Sequence, residues 1–523
     1  MKKKDIHSLL LRSAFLLTVL FLGNIAGRAQ TKIVVGIVVD QLRSDYMERY
    51  QSLFGSGGFK RLMNDGLVYT NGTYNYVSPD RSSATATIYS GTEPAYHGIV
   101  GNKFMDRSSL KVRSCVDDSS CSGVNTFDGS SPQNLLVTTI ADELKIATRG
   151  QSLVFSVAPD RDMAVLAGGH AADAVLWMDD VDGRWASSSF YGETPRWLNT
   201  TYMREKMRAT TFESSRWTPF FPVTSYIYPL SEGKPQSFGY SFSTRDARLF
   251  KTSGLINDQI TDMAKVCLAA SAFGRDNTPD LLCVGYYAGN YEHRSESEAP
   301  IELQDIYCRL DRTIADLIQS VEARVGEGNA LFFLTSTGYS DVHQPAVGDY
   351  HLPSGEVRME RYNVLLNMYL GAIYGKNEYV DASYLNQIFL NHSALERFQI
   401  KMSDVQDRCV EFLTQVKGIK HVYGSMDLMG NKGDDAIRNA YHNERSGDII
   451  LEIAPGWSLA DSRWGEVAYY SRALVPVPII FFGKDIRHEV SSAPTPVESV
   501  APTVAALLNI GVPNACSLSP LSY

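Results

Sequence analysis

The chain contains no C-x-x-C pair and no other cysteine spacing suited to a metal, which excludes a sulfur-ligated metal site. Its seven Cys leave at least one thiol unpaired in any disulfide scheme. Cys115 and Cys121, in RSCVDDSSC, are spaced to close a small loop, whereas Cys267, Cys283 and Cys308 lie in apolar or amphipathic segments and read as buried thiols. No basic run offsets the formal net charge of -9, so nucleic acid and anionic membranes are excluded as partners. After the first thirty residues no apolar stretch is long enough to span a bilayer, which predicts a soluble mature chain. Internal repeats and low-complexity tracts are also absent.

The first thirty residues do carry a signal. Lys2, Lys3 and Lys4 form a positive start, Ala14 to Gly23 is a short apolar core, and Gly27-Arg28-Ala29 supplies small residues for cleavage near Ala29. The apolar core is too short for a membrane anchor, and no Cys follows it to take a lipid. The expectation is a signal peptide over 1–29 and a mature chain over 30–523, periplasmic or secreted.

The remainder has ordinary globular composition, 44% hydrophobic and 20% charged. Ile33 to Val39 (IVVGIVV) is a continuous β-branched run ending at Asp40, the pattern of a strand covered on both faces. Similar runs recur at Leu281 to Val284, Leu331 to Leu334, Ile449 to Ile453 and Pro478 to Phe482. Helical patterns lie between them at Asn134 to Ala147, Asn257 to Ala270 and Leu303 to Val325. This alternation predicts an α/β fold with a doubly wound, mostly parallel sheet flanked by helices. Two stretches break the pattern and read as cap insertions, about 177–243 and about 338–430. Functional residues of such sheets sit at carboxyl ends of strands, where Asp40 falls.

Eight phrases, in order along the mature chain, carry a resemblance. They include VVGIVVDQLRSDYMERY from Val34, GGFKRLMNDG from Gly57, IYSGTEPAYHGIVGN from Ile88, GGHAADAVLW from Gly168 and RSGDIILEIAPGW from Arg445. The chain resembles bacterial alkaline phosphatases of the phosphate-irrepressible type, a branch of the alkaline phosphatase superfamily near the nucleotide pyrophosphatases/phosphodiesterases. The resemblance implies the superfamily fold and a site of two zinc ions. Asp and His hold the metals, a Thr or Ser between them attacks phosphorus, and Asn, Lys and Arg bind the phosphate.

Against that pattern the site departs at most positions. Asp40 matches the first metal-binding Asp. The nucleophile's place falls on Arg81, which cannot be deprotonated to attack; Ser82, one residue on, is the shifted candidate. The remaining metal positions fall on Asn290, Arg294, Thr337, Gly338 and a place near Val467. Asn102 matches the phosphate-binding Asn; of the Lys-x-Arg pair, Pro159 replaces the Lys and Arg161 remains. The reading is an exported, catalytically inactive relative with no cofactor expected. Its partner is an unidentified protein or a small anionic ligand. Arg81 and Arg294 either fill the site beside Asp40 or join Arg161 and Asn102 as an anion pocket. The alternative is an active phosphatase or phosphodiesterase with a rebuilt site, Ser82 as nucleophile and Asp40, His293, Asp341 and His343 recruited.

Overall fold

The computed structural model describes residues 31–192, 212, 215–227, 230–231, 234–235, 237–340, 353–430, 432–461, 466–468, 473–483 and 485–523. Residues 1–30, on which the expected signal peptide falls, and Asp341 and His343 lie outside them.

Seven strands form the body of the central sheet: β1 (Ile33–Asp40), β2 (Leu67–Thr73), β3 (Val154–Ala158), β4 (Ala174–Met178), β5 (Asp280–Tyr287), β6 (Ala330–Ser336) and β7 (Val477–Gly483). Their spatial order is β2-β7-β6-β1-β5-β3-β4, with short strands at both edges. Strands β6, β1, β5, β3 and β4 run parallel, and β7 pairs antiparallel with β6 and β2. The fold is therefore the expected doubly wound α/β sheet.

The uninterrupted apolar run of β1 has a packing cause. Ile33, Val35, Ile37 and Val39 join one core cluster, while Val34 and Val38 join the other. Each face is covered by helices, so both side-chain sets are buried. The helices α3 (Leu255–Ala270) and α4 (Pro300–Val325) pack on the first face, α1 (Arg81–Ser90) and α2 (Arg161–Gly168) on the second. Helix α1 is rich in Ser, Ala and Thr, and Ser82 through Ser90 are all buried. Its first turn is fixed by a capping box, with Ser83 N donating to Asp80 Oδ1 at 2.9 Å and Asp80 N donating in return to Ser83 Oγ at 3.0 Å.

The described part of the first cap docks on α4 through Asp305. Its carboxylate accepts from Trp217 Nε1, Phe220 N and Tyr226 OH, each at 2.6 Å. The second cap is a lobe with its own core, built on α5 (Met359–Tyr374), α6 (Met402–Leu413) and a four-stranded antiparallel sheet. That sheet includes Ile449–Ile453, which the sequence placed with the central strands. Burial explains the difference: Ile449, Leu451 and Ile453 are buried and the alternate residues are not, so only one face of that strand is covered. The lobe consequently extends past the expected boundary near residue 430. Among the described residues no helix is long and apolar enough to cross a membrane.

Candidate functional site

Asp40 ends β1 with 2% of its surface exposed, beside the first turn of α1 and the segment following β6. Its Oδ1 accepts from Thr337 Oγ1 at 2.8 Å and its Oδ2 from the Tyr339 hydroxyl at 3.2 Å. Thr337 Oγ1 in turn accepts from Gln41 N at 3.0 Å, which locks the hydroxyl proton toward Asp40. Gly338 allows this turn: its φ is +76°, and a Cβ there would lie 2.2 Å from the Tyr74 ring. Burial raises the Asp40 carboxyl to about 6, because the Arg81 charge and the two hydroxyls only partly offset the loss of water.

Arg81 opens α1, and its guanidinium sits among three carboxylates. Arg81 Nε and NH2 face Asp162, at 3.1 and 3.0 Å, NH1 faces Asp160 Oδ2 at 3.1 Å, and Asp40 Oδ2 lies 3.9 Å from NH1. Asp160 is the residue preceding α2 and Asp162 lies in its first turn, so the end of β3 delivers both. Lys251 extends the network, pairing with Asp160 at 3.3 Å and closely with Asp180. Among the described residues Arg81 and Lys251 thus face Asp40, Asp160, Asp162 and Asp180, with the exposed Arg248 3.7 Å from Asp180 at the rim. Arg81 is held well above the usual guanidinium range, since the three Asp charges outweigh burial.

The Ser82 hydroxyl donates to Asp162 Oδ2 at 2.5 Å, and Ser82 N donates to Asn102 Oδ1 at 2.9 Å. Ser82 is fully buried. Burial alone would raise Asp162, but Arg81 and the Ser82 bond leave it below the ordinary carboxylate value, a weak base. The shifted nucleophile is therefore inaccessible and poorly activated in this arrangement.

Other expected site residues go elsewhere. Arg294 does not meet Asp40: it pairs with Glu292 at 2.6 Å, reaches the Tyr240 hydroxyl at 3.2 Å and lies over the Tyr240 and Tyr291 rings. The cause is local backbone. Glu292 and His293 both have positive φ, +53° and +55°, and turn the chain after Asn290 toward the surface. Arg161 is bound to Asp117 at 2.7 Å, with Asp128 at 3.6 Å, so it does not join Arg81 in an anion pocket. Asn290 precedes that short turn, and its carbonyl accepts from the Tyr287 hydroxyl at 2.8 Å. Val467 lies in the strand Glu466–Ala468 of a separate three-stranded sheet. Cys115 and Cys121 are separate thiols, the first buried and the second donating to Asp118.

Asp160, Asp162, Asp180 and Lys251 were not singled out from the sequence. The available signal was PDRD, from Pro159, directly after the buried run Val154–Ala158: two acids flanking Arg161.

The two-zinc site implied by the resemblance does not fit these residues. Asp40 has both oxygens engaged by hydroxyl donors, and a guanidinium stands between it and the other carboxylates. Among the described residues no three His, Cys, Asp or Glu side chains converge as a metal would require.

Residues 34–474 match the family model for type I phosphodiesterase / nucleotide pyrophosphatase. Alkaline phosphatase PafA of Elizabethkingia meningoseptica is 28% identical, over 97% of this chain and 98% of its own length. Alkaline phosphatase PhoV of Synechococcus elongatus is 27% identical, over 93% of this chain and 91% of its own. The crystal structure of wild-type PafA superposes with a TM-score of 0.81 at 27% identity, covering 94% of this chain and 98% of that one.

Proposed function

Because the chain belongs to the type I phosphodiesterase / nucleotide pyrophosphatase family, within the alkaline phosphatase superfamily, we propose that it keeps the family's fold without its two-zinc reaction and works as an exported binding or structural protein. The observation that carries this is the enclosure of the Arg81 guanidinium by Asp40, Asp160 and Asp162, at the position to which the resemblance assigns the nucleophile. A guanidinium cannot attack phosphorus. Its charge is already neutralised by three carboxylates, and with Lys251 it leaves the pocket with more acids than bases. Such a pocket repels a phosphate dianion instead of stabilising it. Export rests on the amino-terminal signal, with its three lysines and short apolar core.

The test combines metal content and turnover. The purified mature protein, dialysed mildly, is expected to carry no stoichiometric zinc by elemental analysis and to hydrolyse aryl phosphate mono- and diesters at background. Two zinc ions per chain together with turnover would overturn the proposal.

A second reading has a specific observation in its favour, because the full-length relatives are named alkaline phosphatases. Under it the chain hydrolyses phosphate esters through a rebuilt site with Ser82 as nucleophile. A measured activity that disappears in Ser82→Ala, with the fold intact, would establish this second reading.

A further inference from the structure

A cavity of about 420 Å³ lies between the central domain and the second lobe; Asp80 and Asn102, which brace the first turn of α1, form its border with the Arg81 network, and none of Arg81, Asp40, Asp160 and Asp162 lines it. That volume falls in the range of small-molecule sites. One wall is Phe104 and Met105, from the strand Lys103–Asp106. Beside it stands the tip of the hairpin formed by the strands Val380–Tyr384 and Gln387–Leu390, whose Tyr384 and Leu385 pack in one cluster with Met105. Ile450 and Tyr441 close the sides. The walls thus combine aromatic and aliphatic side chains with polar ones, among them Asn102, Gln387 and Ser446.

Three charged residues border this cavity, Arg445, Asp80 and Lys103, and Arg445 belongs to the RSGD phrase. It is half-buried, its NH1 donates to the carbonyls of Gly98 and Asn134, and its guanidinium carbon lies 5.7 Å from the Phe104 ring centre. Among the described residues no carboxylate comes within 4.0 Å of it. Asp80 also borders the cavity, but its carboxylate is turned to Ser83 N, Ser83 Oγ and Asn102 N at 2.6–2.9 Å. Lys103 lines the same space. Glu444, the chain neighbour of Arg445, acts on it only from an exposed position without forming an ion pair, so the guanidinium taken partly out of water keeps a cost that an anion in the cavity would relieve. Burial and the neighbouring Arg113 already pull Arg445 below its ordinary value.

A second observation comes from the backbone. Leu385, at the hairpin tip, adopts φ +50°, a region that a leucine occupies only under constraint. The tip is clamped there by Asn386, whose Nδ2 donates to Leu451 O at 2.9 Å and whose carbonyl accepts from Leu451 N at 2.8 Å. This holds Tyr384 and Leu385 against the space instead of letting the hairpin close it.

We propose that this interlobe cavity binds a small anion carried on an apolar or aromatic body, its negative group on Arg445 and its body between Phe104 and the Leu385 hairpin tip. The site stands whether or not the Arg81 site hydrolyses a phosphate ester.

The test uses the full mature chain and calorimetric titration with 1-naphthoate, alongside its neutral isostere 1-naphthamide. Naphthoate should bind one per chain, with naphthamide at least tenfold weaker. Arg445→Gln should weaken naphthoate at least tenfold. Because Arg445 also ties two carbonyls and its loss could impair folding, Ala440→Trp, which fills the cavity from its half-buried wall, should abolish binding with the circular dichroism spectrum unchanged. Absence of naphthoate binding, equal binding of the two probes, or unchanged binding in a folded Ala440→Trp overturns the proposal. So does binding lost in Arg161→Gln but kept in Ala440→Trp, which would place the anion at the former phosphate position.

Discussion

Replacing Asp40 with Asn should make the protein more stable at neutral and alkaline pH. The side chain is 2% exposed, and burial outweighs the help of Arg81, Thr337 and Tyr339, so its carboxyl rises from 3.8 to about 6. Between those values the folded chain holds a proton that the unfolded chain has lost. Stability therefore falls as pH rises through this window, and the full cost is present above pH 6. The displacement corresponds to about 3 kcal/mol at 1.36 kcal/mol per pH unit. Asn mimics the neutral acid: its oxygen can accept from Thr337, and its amide can donate to the Tyr339 hydroxyl. Urea unfolding at pH 8 should show Asp40→Asn more stable by up to about 3 kcal/mol, and below pH 4 the advantage should vanish. The comparison discriminates because a carboxylate holding a divalent cation would behave in the opposite way, losing stabilisation when neutralised. An Asp40→Asn variant that is less stable at pH 8 would refute the reasoning.

Arg81→Met and Asp162→Asn should each destabilise by about 3 kcal/mol, toward the low end for a buried pair because Arg81 is 24% exposed. Their combination should cost at least about 1 kcal/mol less than the sum in urea unfolding, and strict additivity would remove the pairing from the account. Arg294→Ala should change stability by less than about 0.5 kcal/mol in the same assay, since its Glu292 partner is on the surface. Glu498 is fully buried, its Oε2 has no hydrogen-bond partner among the described residues, and burial raises it from 4.5 to about 7. Glu498→Gln should therefore stabilise by up to about 3 kcal/mol at pH 8 and by nothing below pH 4.5, measured by urea midpoints across pH.

The sequence was legible where burial is two-sided and spacing is rigid. The run Ile33 to Val39 could only be a covered strand, and its end placed Asp40 correctly because strand polarity leaves no choice. Arg81 was legible because the phrases around it keep the family's spacing. Its partners were not, since they arrive from the far end of β3 and, through Lys251, from the segment before α3. Arg294 shows the limit of counting along a chain. Its position matched a ligand, yet two successive left-handed residues, Glu292 and His293, aim it at Tyr240. Ile449–Ile453 shows the limit of composition: an Ile-rich strand with a glutamate on its less covered face can belong to a half-exposed lobe sheet as well as to the central one.

The guanidinium between Asp40, Asp160 and Asp162 is a cation that the ribosome installs. A bound metal stabilises a fold according to its free concentration, so a zinc-dependent molecule weakens under dilution, chelators or scarcity of the ion. A tethered charge obeys no such mass action. It is present once per molecule, cannot be exchanged for a competing metal, and needs no deprotonated ligand set to enter. Folding of this chain should therefore proceed alike in metal-replete and metal-starved surroundings, with the only supply required being the codon for Arg81.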